Sequence, residues 1–411
     1  MSATTRVPLI VARLLPSALA LALLAACAPS APLPAPSSAP TPAAASPASP
    51  ASSTPATAST SPTPDAPPPR DVLLRPEDWT EEIVATGLTA YLSLALRGDH
   101  LVAASDRAVA SRRGGTWKFG PPLVAERTGA SSAANTTITA LALDAAQRPH
   151  LVLFEASAEV APAKLQARHL AARLTPDGKL EQPTQIPCDL MAQHYRITVG
   201  DDGILRILTT CGNEAVVLAR KATGFETELR LERFAAGRPT ASEHGWAFTA
   251  SAHLGATPPE GQHQILWSRA GTVAKATLPP RRNHFGVPGL SRRGTVALVL
   301  QDHDEHFFWA VHDGTAWHEE PLPSACTAAG IVHWSLDRAV VLCLPAGNEH
   351  NTYLLLRGKD GWSRSTFIAP GARQIDDFLI DPKGRLHVSY RLGLGTTTRA
   401  IYATAPLSFG E

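Results

Sequence analysis

From residue 71 to its end the chain keeps returning to one phrase: an alternating apolar run, a tight turn built on Gly or Asp, and a second apolar run. The clearest copy is Phe378-Leu379-Ile380, the turn Asp381-Pro382-Lys383-Gly384-Arg385, and then Leu386-His387-Val388-Ser389-Tyr390. Alternation with a period of two is the signature of a β-strand, and Gly and Asp are turn formers. Other copies run from Ala140 to Phe154 and from Ile197 to Leu208, and weaker ones turn near Gly98, Gly245, Gly294 and Asp337. The turns therefore fall near residues 98, 147, 203, 245, 294, 337 and 384, between 42 and 56 residues apart.

Each interval has room for two more strands. Many carry a Gly and a Trp ahead of the fourth: Gly115 with Trp117, Gly314 with Trp317, and Gly361 with Trp362. Four-stranded units of roughly 40 to 50 residues are the blades of a β-propeller. The expected fold is therefore all-β, a propeller over residues 71–411. Seven blades fit the spacing best, and eight or six are the alternatives. The last repeat ends after its third strand, while Trp79-Thr80-Glu81-Glu82-Ile83-Val84 looks like the fourth-strand phrase Trp317-His318-Glu319-Glu320-Pro321-Leu322. The N-terminal strand of the domain is thus expected to complete the last blade, which removes an open sheet edge.

The first 70 residues have another character. Arg6 and Arg13 precede a Leu/Ala-rich run that ends Leu24-Ala25-Ala26-Cys27. A basic segment followed by a short apolar one is an export signal, too short to span a bilayer comfortably. Its end resembles the bacterial lipobox, a Leu and two small residues before a cysteine. The resemblance implies removal of residues 1–26, lipidation of Cys27, and attachment to the membrane through acyl chains. Ala28, where an Asp would signal retention, implies by resemblance to enteric lipoprotein sorting the outer membrane. Two or three chains anchor stably where one does not. Residues 28–70 hold 14 of the 36 prolines and little beyond Ala, Ser and Thr. Such a composition cannot bury enough apolar surface to offset its chain entropy, so residues 27–70 read as a disordered tether.

Across residues 71–411 the repeat rhythm resembles bacterial propellers of the sialidase-like, or neuraminidase-repeat, type. The Asp-box of that group is not met: Ser111 to Trp117 has Arg113 at the Asp position and is one residue short. Beyond Cys27, four cysteines remain, and export places them where disulfides form. Three pairings are possible. Repeat register favours Cys188 with Cys211 and Cys326 with Cys343, since each pair brackets the first hairpin of one blade; four free buried thiols are the alternative.

Chemistry is less legible. With 37 basic and 36 acidic side chains, nothing points to nucleic acid. In a propeller the loops after strands two and four share a face, and the candidates there are His194, Tyr195, Arg281, Arg282, His284, Glu349, His350 and Arg373 as ligand contacts. Arginines in that position can clamp an oxyanion, although ordinary surface loops explain the same residues. Asp302-His303-Asp304-Glu305-His306 is dense enough in donors for a divalent metal through Asp302, His303, Asp304 and His306. It reads equally as a solvated loop tip, and no other cofactor is suggested. His150 and His387, in second strands, read as framework residues. The sequence has no nucleophile elbow, phosphate loop or zinc-protease motif. The expected function is a monomeric, lipid-anchored, non-catalytic module binding an envelope protein or glycan. The alternative is a glycan-acting hydrolase or lyase with its site at the propeller centre.

Overall fold

Strands in this chain are apolar on both faces in the middle of each sheet and polar at one edge. Val296–Gln301 and Arg385–Leu392 are buried almost throughout, whereas Thr116–Phe119 and Thr272–Thr277 are largely exposed. A sheet with two apolar faces must be covered twice, and a ring of sheets does so. The computed structural model describes residues 74–407 with interruptions, the longest at 124–134, 253–262, 345–351 and 367–373. These residues belong to the compact unit Pro64–Glu411. They form seven antiparallel sheets of four strands in a ring, a seven-bladed β-propeller.

Blade one comprises Ser93–Arg97, His100–Ser105, Ala108–Arg113 and Thr116–Phe119. Blades two to six follow along residues 135–185, 196–232, 234–277, 283–321 and 327–366. In blades four and five the first strand is broken in two, as Phe234–Ala236 with Thr240–Ser242 and as Asn283–His284 with Gly289–Leu290. Each first strand neighbours the first strand of the next blade, and Gln374–Ile380 of blade seven returns to Ser93–Arg97 of blade one. All seven expected turns sit between the first and second strands. There is no single core. Seven apolar clusters occupy the seven inter-blade interfaces among the described residues.

The ring closes as expected from the N-terminal phrase. Thr80–Thr86 is the outer strand of blade seven, antiparallel to Arg399–Pro406, with Thr80 opposite Thr404 and Thr86 opposite Arg399. Further ties cross this closure. Arg112 of blade one grips Glu82 with Nε and Nη2, at 3.1 and 2.6 Å. Asp376 is the extra residue of a β-bulge in Gln374–Ile380, which turns its carboxylate toward blade one. There it accepts the Leu92 amide at 3.0 Å and the Arg391 Nε at 3.1 Å, while Asp377 accepts the Leu94 amide at 3.0 Å. Ser389 Oγ donates to Leu92 O at 2.7 Å.

The Gly-Trp phrase also has a physical reason. Trp317 Nε1 of blade five donates to Thr277 O of blade four at 2.8 Å, and Trp362 Nε1 of blade six to Glu320 of blade five at 2.8 Å. Trp117 of blade one packs edge-on against Tyr402 of blade seven, 5.3 Å between ring centres. Each such Trp staples its blade to the preceding one. Glycine has a different use at Gly286, where φ is +98° and a Cβ would lie 1.8 Å from Ala328 O. Here the first strands of blades five and six meet backbone to backbone, with Val287 N donating to Ala328 O at 2.9 Å.

Two outcomes follow from the closure. Glu82→Ala leaves the half-buried Arg112 without its carboxylate and is expected to lower the unfolding free energy by about 1–2 kcal/mol. Glu320→Ala, which strips the equivalent Arg357, should cost a similar amount, and denaturant unfolding of each single mutant and the paired Arg mutants measures both couplings. Burial raises the Asp376 pKa to about 6, against the hydrogen bond from Leu92 and the charge of Arg391. The folded chain therefore holds a proton there that the unfolded chain has released, so this group's contribution to stability falls as pH rises from about 4 to about 6. Relative to Asp376→Asn, wild-type stability should decline over that window by on the order of 3 kcal/mol. Parallel curves for the two proteins would refute the assignment.

Candidate functional site

The turn chemistry of the repeat accounts for the densest group of donors. Asp381 Oδ1 accepts the amides of Lys383 and Arg385 at 2.9 and 2.8 Å, and Gly384 N closes the turn on Asp381 O. Asp302 repeats this geometry one loop further on in blade five: its Oδ1 accepts the amides of Asp304 and His306 at 3.0 and 2.9 Å. Glu305 has φ of 63°, the left-handed slot that Gly203, Gly294 and Gly384 fill in other turns. Ligand atoms of Asp302, Asp304 and His306 lie within 4.8 Å of one another. The turn by itself brings them that close. His303 lies outside the described residues.

Both expected disulfides are present. Cys188–Cys211 and Cys326–Cys343 each join the entry of a blade to the end of its second strand, with Cα separations of 5.1 Å. The expected lipidation site Cys27 and, of the expected ligand contacts, His194, Arg281, Arg282, Glu349, His350 and Arg373 lie outside the described residues, and of His284 only the backbone is described.

Tyr195 is not on the surface. It is 6% exposed and packs in the apolar interface of blades two and three, 4.6 Å from the ring of His169. Burial pushes the Tyr195 phenol well above its usual pKa and holds His169 below the usual imidazole value. Both groups are therefore neutral. Tyr195 Oη, both ring nitrogens of His169 and Thr209 Oγ1 are buried there without hydrogen-bond partners. An unsatisfied buried polar group costs roughly 1–3 kcal/mol.

The described cavities open on the opposite face from the predicted loops, among the turns between first and second strands. The larger, about 450 Å³, occupies the ring centre. Inner strands of all seven blades line it with a surface more polar than apolar, while Leu94, Leu141, Ile331 and Phe378 on those strands are buried in the clusters between blades, and Arg338, Asp381 and Lys383 stand at its mouth. Arg97 braces this end. From blade one its Nη1 donates to Leu143 O of blade two at 3.3 Å and Val199 O of blade three at 3.0 Å, and its Nη2 meets Asp201 at 2.8 Å. It thereby satisfies carbonyls at the ends of two inner strands.

A second crevice of about 260 Å³ lies between blades seven and one. It is lined by Asp99, Arg112, Lys383, Arg385, His387 and Tyr402, and shares Leu96, Asp381 and Lys383 with the central cavity. His387 Nδ1 is 2.7 Å from Tyr402 Oη, and its Nε2 is 3.3 Å from Asp381 Oδ2. Burial, more than the opposing pull of Asp381, keeps the imidazole pKa below normal, and burial likewise raises that of Tyr402. The pairing recurs in blade two, where His150 Nε2 lies 3.4 Å from Asp144 Oδ2 at the same six-residue spacing. That supports the framework reading of both histidines. Arg97, Arg112 and Arg385 carried no motif in the sequence. Only the repeated Asp-x5-His phrase marked this region.

No protein family and no curated protein matches the chain. Solved structures do resemble it. YCF48 bound to D1 peptide aligns with a TM-score of 0.51 at 13% identity, covering 84% of this chain and 99% of that one. The polysaccharide lyase Uly1 aligns at 0.50 and 9% identity, covering 80% and 91%. A PL25 ulvan lyase bound to -[GlcA(1-4)Rha3S]- aligns at 0.51 and 10%, covering 77% and 93%. At such identities the likeness establishes the propeller fold.

The orphaned trio gives a test of its own. Thr209→Val removes a buried hydroxyl without changing volume, and is expected to leave thermal stability unchanged or raise it slightly. A loss of about 1 kcal/mol or more would instead reveal a bound group that bridges Thr209 to His169 and Tyr195.

Proposed function

We propose that this protein is a lipid-anchored module of the bacterial cell envelope that binds a ligand at its propeller axis without transforming it. The anchor is Cys27, the tether runs to about residue 70, and the outer membrane is the expected site. One observation carries the binding reading. The central cavity is a concavity lined by the inner strand of every blade, with polar and apolar surface side by side and charged groups at its mouth, a place where a ligand on the axis meets all seven blades. Asp381, which lines it, is committed to the amides of its own turn, and in the neighbouring crevice His387 and Tyr402 are 7% and 0% exposed and bonded to each other. A buried, mutually satisfied pair holds blades together more readily than it moves protons. The peptide seen on the YCF48 propeller and the glycan on the ulvan lyase name two ligand chemistries that this fold accommodates.

The reading is tested in two steps. Mass analysis of the mature protein should find an acylated Cys27 as the first residue, and Cys27→Ser should release the chain from the membrane fraction. Purified protein is then titrated with extended peptides and with neutral and uronate-bearing oligosaccharides. Thr240→Trp, which fills the central cavity wall, should weaken whichever binds by roughly tenfold without lowering the melting temperature. Ultraviolet absorbance from unsaturated uronate products, growing with time on a uronate polymer, would replace the binding reading with the lyase one.

A further inference from the structure

We infer that the crevice between blades seven and one is an anion subsite, built to receive one oxyanion group, a carboxylate or a sulfate. The argument rests on which of its cations are already occupied. Arg112 commits Nε and Nη2 to Glu82. Lys383 Nζ meets Asp99 at 3.0 Å, but both side chains are mostly exposed, so water and salt weaken that pair. Asp381 spends one oxygen on two backbone amides of its own turn and turns the other toward His387. Arg385 has no acidic partner among the described residues.

The equivalent position in blade two is committed where that of blade seven is not. Arg148 follows Asp144 as Arg385 follows Asp381, and it folds back to place Nε 2.8 Å from Asp144 Oδ2. Arg385 instead lines the crevice beside His387, whose Nε2 faces Asp381 Oδ2 at 3.3 Å. A guanidinium without an acidic partner among the described residues and an ammonium in a weak surface pair thus line one cavity. Its volume of about 260 Å³ is below that of drug-sized pockets, so it suits a single small group. Because it shares Leu96, Asp381 and Lys383 with the central cavity, it would read the acidic group of a ligand seated on the axis. To that extent the inference rests on the binding reading.

The experiment is calorimetric titration of the intact mature protein, at low salt, with sodium sulfate, sodium glucuronate and, as the neutral control, glucose. Sulfate or glucuronate is expected to bind, more weakly as salt is raised, and glucose is not. Arg385→Gln should weaken anion binding roughly tenfold with an unchanged melting temperature, since this exposed side chain makes no hydrogen bond or ion pair among the described residues. Comparable affinities for the two anions mark a general oxyanion site, and a clear preference for glucuronate marks an acidic-sugar subsite; either supports the inference. Failure of both anions to bind, or an Arg385→Gln protein that binds them as wild type does, overturns it. Thr240→Trp does not touch the crevice, so failure of the axial reading shows in that variant while sulfate binding stays intact.

Discussion

Every sheet in this protein is apolar on both faces, and that property fixes the architecture. Strands such as Val296–Gln301 and Arg399–Pro406 have almost no exposed residue, so no blade can stand with one side in water. A linear array of such units satisfies its inner members and leaves two terminal faces bare. A ring leaves none. Seven small clusters, each shared by two blades, take the place of one large core, and a 341-residue domain is stabilised without any buried centre. The central cavity follows from the same geometry, because the first strands meet around an axis that their side chains do not fill.

Closure must then be made from parts that sit at opposite ends of the chain, and the protein makes it with the components it uses elsewhere. At the interface of blades five and six, Arg357 grips Glu320 while Trp309 and Trp362 meet edge-on at 5.6 Å. At the closure, Arg112 grips Glu82 while Tyr402 and Trp117 meet edge-on at 5.3 Å. The sequence likeness between Trp79–Glu82 and Trp317–Glu320 therefore encodes a strand and also the carboxylate that the next blade requires. To this shared set the closure adds the bulged Asp376 and its neighbour Asp377, which accept two inner-strand amides of blade one.

How much of this was readable from the chain depends on the range of the interaction. Turn positions, blade number, the closing strand and both disulfides all follow from a local pattern repeated at a fixed interval, and repetition makes weak local signals strong. Single contacts between blades do not repeat. Arg97 reaching across to Leu143 and Val199 is one of 37 basic residues until the ring brings those carbonyls beside it. Tyr195 was expected on a loop face because it follows a fourth strand. It is buried because it opens the inward-facing series Tyr195, Ile197, Val199, a parity that alternation could have shown. The cluster from Asp302 to His306 attracted attention for its donors, yet its spacing is the spacing of Asp381 to Arg385, so composition suggested a site where backbone geometry had set a turn.

That comparison carries a general consequence for a repeat fold. Residues that recur in register, as Asp144 with His150 in blade two and Asp381 with His387 in blade seven do, answer a structural need that those blades share, and their chemistry is committed to it. A ligand breaks the symmetry of the ring, so its contacts should lie where equivalent positions diverge. Blade two turns Arg148 onto its own Asp144, whereas blade seven leaves Arg385 beside an open crevice; blade five has Trp309 where blade seven has Tyr402, whose hydroxyl meets His387. These departures coincide at the interface that joins the two ends of the domain. The closure is held there by the Arg112–Glu82 ion pair and by the carboxylates of Asp376 and Asp377 as well as by its apolar cluster, and the crevice lies beside those charged groups.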